Sequence, residues 1–331
     1  MIEVQSQPDA NALALSPHGA HIRRLILERC GLYFRDHERK GLDKAVCSRM
    51  ESVGVFEFSD YLKLLKNSQE EFCELLNLLT VRHTYFFRNE PQFNALEQTI
   101  LPTLIKEKRQ QNPPGGPTLN IWSAGCSTGE EPYSLAMAVT RAIPDIDKWH
   151  INIHATDVST QALASAQTGC FQTGSMQLVS DADRVAYFEE TISADGQHRF
   201  QVREKIRKLV QFRYLNLQED DYPENMDLIF CRNVMIYFDR DTVCDMVRRF
   251  YRSLRIPGYF FIGYAETLQG VSSEFKLTLD HEGVFYCKMD PAQAAVKKES
   301  ASATKTSPMA SSKTVPASVK TTPVSPLVAI E

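Results

Sequence analysis

Apolar side chains in the first eighty-odd residues recur at helical spacing. Ser16 and Pro17 form a helix start, with serine as N-cap and proline in the first turn. Ile22, Leu25, Ile26 and Cys30 keep one face, and Gly31 closes it. Leu42, Val46 and Met50 predict a second helix. A third is expected from a Ser59-Asp60 cap through Leu65, and a fourth from Ser68 through Phe72, Leu75, Leu76 and Leu79. The pattern predicts an all-helical domain over 16–85, with 1–15 as a disordered N-terminus. A linker over 86–117 follows, made of a helix from Phe93 to about Gln110 and a loop of breakers at 111–117.

From Leu119 the period changes. Short apolar runs alternate with helical stretches, as in an α/β parallel sheet. Leu119–Trp122, Ile151–Ala155, Asp227–Cys231 and Tyr259–Gly263 read as strands, with another at Tyr214–Leu217. Phe275–Leu279 and Val284–Lys288 read as a closing hairpin across 280–283. The rhythm breaks between Gly169 and about Phe212. Phe188–Ile192, an Asp195-Gly196 turn, Arg199–Val202 and the apolar run Leu209–Phe212 predict a small antiparallel β insertion over about 170–212. After Asp290 the chain turns to Ala, Ser, Thr, Val, Lys and Pro without an aromatic residue. A tail of that composition cannot bury enough surface to order itself, so 290–331 is expected to be disordered.

Composition narrows the classes. At 331 residues and net charge −4, the chain is not a generally basic nucleic-acid binder. No apolar run approaches the ~18 residues of a membrane span, so direct membrane insertion is not expected and a cytoplasmic location is. Eight scattered cysteines without a C-x-x-C pair suggest neither zinc nor, in a reducing compartment, disulfides. Within 20–50 the charge is locally +4, from eight basic and four acidic residues. This is either a solvated helix face or a docking surface for an acidic partner.

The candidate chemistry gathers where the first strand meets its helix, at 121–134. The turn there reads G-x-x-x-G-E, through Gly125, Gly129 and Glu130. It lacks the third glycine of a dinucleotide fingerprint and the Lys-Ser/Thr of a phosphate loop. Glu130 and Glu131 would repel a pyrophosphate but could accept hydrogen bonds from a cationic or hydroxyl-bearing ligand. An adenosine ligand without phosphate fits, and S-adenosylmethionine is one. The plainer reading is a tight turn with acidic residues at a helix N-terminus. Asp157, ending the second strand, is placed to hold ribose hydroxyls or to cap the next helix, a task Ser159 could also perform. Arg232, Asn233 and Tyr237 follow a strand end and face the same crevice. Arg88, behind Phe86 and Phe87, offers a planar fork to a carboxylate. The Asn112-Pro113-Pro114 run resembles an amino-methyltransferase word but precedes the first strand.

Several words together resemble the chemotaxis receptor methyltransferases, the CheR family. They are Thr84-Tyr85-Phe86-Phe87-Arg88; Trp122-Ser123-Ala124 through Thr128-Gly129-Glu130-Glu131-Pro132-Tyr133-Ser134; Thr156-Asp157; Asn216-Leu217; and Cys231-Arg232-Asn233-Val234-Met235-Ile236-Tyr237-Phe238. The resemblance runs from about 16 to 289. It implies an all-α N-terminal domain before a class I S-adenosylmethionine-dependent methyltransferase domain over 118–289, with the β-subdomain inserted. It further implies methyl transfer to glutamate carboxylates of methyl-accepting chemotaxis receptors, with S-adenosylhomocysteine as the other product, and recruitment to receptor arrays at the inner membrane. Carried over by position, it sets the cofactor against Arg82, Thr84, Arg88, Gly125, Glu131, Asp157, Asn216, Leu217, Arg232 and Asn233. Arg88 and Tyr237 would lie closest to the transferring methyl. Arg82 stands where relatives often have asparagine. In some relatives the β-subdomain grips a receptor's C-terminal peptide, and the 193–197 loop leaves that open here. A non-catalytic adaptor that binds the cofactor and receptors is the alternative.

Overall fold

The computed structural model describes residues 10–111, 113–194 and 196–288. The expected tail, residues 1–9, and Asn112 and Asp195 of the expected loop and turn lie outside these.

The helical part begins earlier than the spacing suggests. Helix α1, Ala10–Leu15, places Leu13 in the helical core at 1% exposure, so 10–15 are not part of a disordered terminus. No cap or period announces so short a helix; its contacts with the rest of the domain hold it. Helix α2, Pro17–Cys30, is capped by the Ser16 hydroxyl, which accepts from Gly19 N. Helix α3 spans Arg39–Val53, α4 Phe58–Asn67 and α5 Gln69–Leu79. Ser68 caps α5 by accepting from Glu71 N. The expected cap of α4 is displaced: Ser59 lies within its first turn, and Glu57 precedes the helix without a side-chain bond. Ile22, Ile26, Val46, Met50, Tyr61, Leu65, Leu75 and Leu76 form the shared core.

Three of the basic residues in the +4 stretch brace this bundle. Arg49 forms two hydrogen bonds to Glu71, whose Oε1 also accepts from Tyr61 at 2.8 Å. Arg29 donates to Leu65 O and lies over Phe72, and Arg23 pairs with Asp43.

Helix α6 (Glu90–Ala95), a π turn (Leu96–Ile100) and α7 (Leu101–Gln111) form one continuous linker. Strand β1, Thr118–Ala124, then leads to α8, Glu130–Ala142, and β2, His150–Asp157, to α9, Thr160–Thr168. A smaller sheet follows, formed by β3 (Cys170–Gln172), β4 (Phe188–Ile192) and β5 (His198–Val202), with α10 (Asp181–Tyr187) before β4 and α11 (Glu204–Arg207) after β5. Its order is β3-β5-β4, all antiparallel.

Strand β6, Val210–Tyr214, corrects the expected insertion. It pairs in parallel with β2, Ile153 opposite Val210 and Asp157 opposite Tyr214, so the apolar run at 209–212 enters the main sheet. Tyr214–Leu217 is accordingly the strand's end and the loop beyond it. Strand β7, Met226–Cys231, is buried throughout, as a central parallel strand covered on both faces should be. Helix α12, Arg240–Ser253, is capped by Asp239 and begins before the expected Val243. Strands β8 (Leu254–Ile262), β9 (Phe275–Asp280) and β10 (Gly283–Lys288) finish the chain, the last two as the expected hairpin. The order β6-β2-β1-β7-β8-β10-β9 places β1 between β2 and β7. The connections diverge on either side of β1, and ligands bind beyond the carboxyl ends at such a switch point.

Candidate functional site

The turn after β1 is set by backbone that few residues tolerate. Gly125 and Gly129 have φ of 75° and 100°. A methyl group on Gly125 would lie 2.4 Å from Val234 Cγ2. Gly125 N and Cys126 N both donate to Thr156 O, tying the turn to the end of β2. Cys126 is buried, and burial pushes its thiol well above its ordinary pKa; its amide shapes the turn.

The two glutamates that open α8 differ. Glu130 accepts from Thr128 Oγ1 at 2.6 Å and Ser175 Oγ at 2.8 Å, which braces the turn against the loop after β3. Burial raises its pKa against those bonds. Glu131 accepts from Ser123 Oγ at 2.6 Å and lies 3.2 Å from Arg232 Nε. Arg232 follows β7 and is buried. Burial lowers its pKa, opposed by the charge of Glu131.

Asp157 occupies the end of β2. Oδ2 accepts from Ser127 N and Oδ1 from Ser159 N, both at 2.8 Å. Ser159 Oγ caps α9 by accepting from Ala162 N, so capping does not require Asp157. Burial raises the Asp157 pKa despite its amide bonds. The carboxylate accepts from backbone amides and keeps further acceptor capacity.

Phe86 and Phe87 anchor the linker. Phe86 meets Phe171 and Phe188 of the small sheet edge-to-face, and Phe87 meets Phe93. Phe86 N donates to Ser175 O and Phe87 N to Ser134 Oγ. These contacts carry Arg88 to the crevice. Its carbonyl accepts from Arg232 Nη2 at 2.6 Å, and its Nη1 donates to His83 O. Tyr237 lies in a single turn after β7. Burial raises its hydroxyl pKa, with the Arg88 charge acting in the opposite direction.

The remaining candidates are less concentrated. Thr84 is half-buried before the aromatic anchor. Arg82 is exposed and donates to Asn77 O and Gln161 Oε1. Asn216 turns its amide to Arg29 O at 2.5 Å and accepts from Gln218 N, which joins this loop to the end of α2. Leu217 is buried with its carbonyl accepting from Arg249. Asn233, at φ 59°, donates its amide to Glu266 Oε2. Sequence reasoning missed Glu266: nothing near it in the chain marks it, because two of the amides it accepts from, those of Asn233 and Val234, lie in another loop.

The donor set fits a polar adenosine ligand. Ser127 Oγ, Arg232 Nη1 and Asn233 Oδ1 are buried without hydrogen-bond partners at the carboxyl ends of the central strands. Asp157 adds acceptor capacity beside them, and two glycines shape the turn. Among the described residues no cluster of metal-ligating side chains occurs, and no helix is long and apolar enough to cross a membrane.

The fold is that of an S-adenosylmethionine-dependent methyltransferase, as the match to a known family shows. Residues 82–283 match the family described as "CheR methyltransferase, SAM binding domain", and residues 18–80 match "CheR methyltransferase, all-alpha domain". A chemotaxis protein methyltransferase of Salmonella typhimurium is 34% identical over 275 residues, covering 80% of this chain and 89% of that protein. One from Escherichia coli is 33% identical, covering 80% and 90%, and a probable one from Rhizobium etli 31%, covering 78% and 95%. The chain belongs to the CheR methyltransferase family, and its cofactor is S-adenosylmethionine.

Proposed function

We propose that the crevice bounded by Gly125, Asp157 and Arg232 binds S-adenosylmethionine and presents its methyl group to a receptor glutamate held by Arg88 and Tyr237. The observation that carries this is the convergence at the switch point: Asp157, the Glu131–Arg232 pair and Arg88 meet at the carboxyl ends of β2, β1 and β7. Asp157 accepts from the ribose hydroxyls. Glu131 and Arg232, with Ser127 and Asn233, supply the further polar contacts. Thr84 and Arg82 border the cofactor from the linker, and Asn216 and Leu217 from the loop after β6.

When bound, the cofactor supplies a methyl on a sulfonium centre and leaves as a neutral thioether. A glutamate oxygen forms the new C–O bond as the S–CH3 bond breaks, giving a methyl ester. Free glutamate has a pKa of about 4.3 and is ionised at neutral pH, so no general base is required. The chain's task is placement and exclusion of water, and well-oriented reactants can gain roughly 7–11 kcal/mol from placement alone. Arg88 orients the carboxylate through its guanidinium while Arg232 fixes its backbone. Too strong a hold would stabilise the ionised nucleophile and slow transfer. Tyr237 lines the methyl's path.

The partner is an acidic, glutamate-bearing receptor helix. Arg35, Lys40 and Lys44, outside the bracing pairs of the helical domain, are the residues to meet it, with Arg24, which pairs with Glu28 on the surface of α2. A receptor C-terminal peptide would add along β4, an outer strand of the small sheet. The protein then works in the cytoplasm at receptor arrays on the inner membrane. Radiolabelled methyl transfer from S-adenosylmethionine to receptor-containing membranes, with label released by base, tests the activity. Absence of label with a competent receptor counts against it.

A further inference from the structure

The loops after β7 and β8 are joined by one carboxylate. Asn233 sits in the left-handed region, which asparagine tolerates better than most residues but still at a cost. Asn233 and Val234 lie beyond the end of β7. Glu266 Oε2 accepts from Asn233 N at 2.9 Å and from Gly263 N, and Oε1 accepts from Val234 N at 3.1 Å. A methyl group on Gly263 would lie 2.7 Å from Asn233 Nδ2 and 2.8 Å from Glu266 Oε2, so the loops already touch. Hydrogen bonds from amides to a carboxylate are among the stronger ones in proteins. The turn they fix follows Arg232, which meets Glu131 and the Arg88 carbonyl, and leads into Tyr237.

We propose that Glu266 is a positioning residue for methyl transfer: by accepting the Gly263, Asn233 and Val234 amides it holds the turn that aims Arg232 and Tyr237 into the crevice. Glu266 acts through that turn and needs no contact with the receptor. The role deepens the reading of the crevice as the cofactor site and rests on it.

The test uses the full chain as Glu266→Ala and Glu266→Gln. Glutamine keeps the side-chain length and one oxygen, but its NH2 group faces an amide donor. Calorimetry should show S-adenosylmethionine affinity falling about tenfold or more for alanine and less for glutamine, at a temperature where both variants are folded. The receptor KM should change less than the cofactor affinity, since the basic residues of the helical domain are untouched and the receptor feels the turn only through its reacting glutamate. Hydrogen exchange at Asn233 and Val234 should accelerate in both variants without cofactor. A fall in melting temperature alone, with cofactor affinity within about twofold of wild type, would reduce Glu266 to a structural residue and overturn the proposal. Unchanged exchange at both amides would overturn it as well. Wild-type protein that fails to bind S-adenosylmethionine would defeat the cofactor-site reading instead, while accelerated exchange would still support the hold on the turn. If the alanine variant fails to fold, glutamine alone decides between these outcomes.

Discussion

The two ends of the central sheet face opposite demands. At the amino end, Asp227 is fully buried and satisfied from several sides. Lys108 of the linker helix lies 2.7 Å from it, Arg255 bonds to it from β8, and Asn120 N donates to it from β1. Arg255 also pairs with Glu107 at 2.8 Å. At the carboxyl end, Ser127 and Asn233 adopt positive φ, and buried polar atoms of both, with Arg232, lack partners. One end is a closed ionic joint. The other keeps strain and open polar valence, the pattern expected where a ligand completes the structure. The difference implies that substitutions at the two ends should fail differently, in stability at one and in binding or turnover at the other.

The contrast should be widest between Asp227 and Arg88. Asp227→Ala leaves Lys108 and Arg255 without their shared carboxylate. Breaking a buried ion pair on one side costs about 3–5 kcal/mol, measurable as a lower denaturant midpoint. Cofactor affinity of the protein that remains folded should be unchanged. Arg88→Ala should lose about 100-fold in kcat, equivalent to ~2.7 kcal/mol, while calorimetry still detects cofactor. An unchanged kcat would remove Arg88 from the transfer step.

Asp157 should give a smaller effect of the second kind. Asp157→Ala is expected to weaken S-adenosylmethionine by about tenfold, the loss of ~1.4 kcal/mol of hydrogen bonding to the ribose. The ionised form accepts, and burial raises the folded pKa. Wild-type affinity should therefore decline on acidification before pH reaches the ordinary aspartate value of about 3.9. Retained affinity in the variant, or a flat profile in wild type, would withdraw the ribose role.

Smaller still is the acid response of the ionic joint. Arg255 holds the Glu107 pKa below its ordinary value. A depressed folded pKa contributes stability that is present above the unfolded pKa and is lost as pH falls through the folded one. Melting of wild type and Glu107→Gln should thus differ at neutral pH and converge in strong acid. Last, raising salt should increase the KM for receptor more than that for cofactor, because exposed charges are screened most. Equal sensitivity would detach Arg24, Arg35, Lys40 and Lys44 from receptor docking.

What could be read from the sequence was what neighbouring residues decide. The 125–131 turn announced itself because glycine spacing and the strand before it are local. The capping by Ser16 and Ser68 was equally local. Strand partnership was not: 209–212 follows the small sheet in the chain but pairs with β2, and an apolar run carries no mark of its neighbour. Glu266 and Asp227 were missed for the same reason. Each acts on groups brought together only by folding, Glu266 on the turn after β7 and Asp227 on Lys108 and Arg255. The +4 stretch was read as surface charge, yet Arg23, Arg29 and Arg49 turn inward to brace the bundle.

Asn216 reaches across to Arg29 O, Tyr33 N donates to Tyr237 O at 2.8 Å, and Leu32 bridges to Phe238. The helical domain therefore supplies a wall to the catalytic one. A chimera carrying another protein's helical domain would inherit mismatched carbonyls and amides at this seam, beside Tyr237 itself. Exchanging residues 10–80 alone would break this seam; residues 216 and 237–238 would have to travel with them.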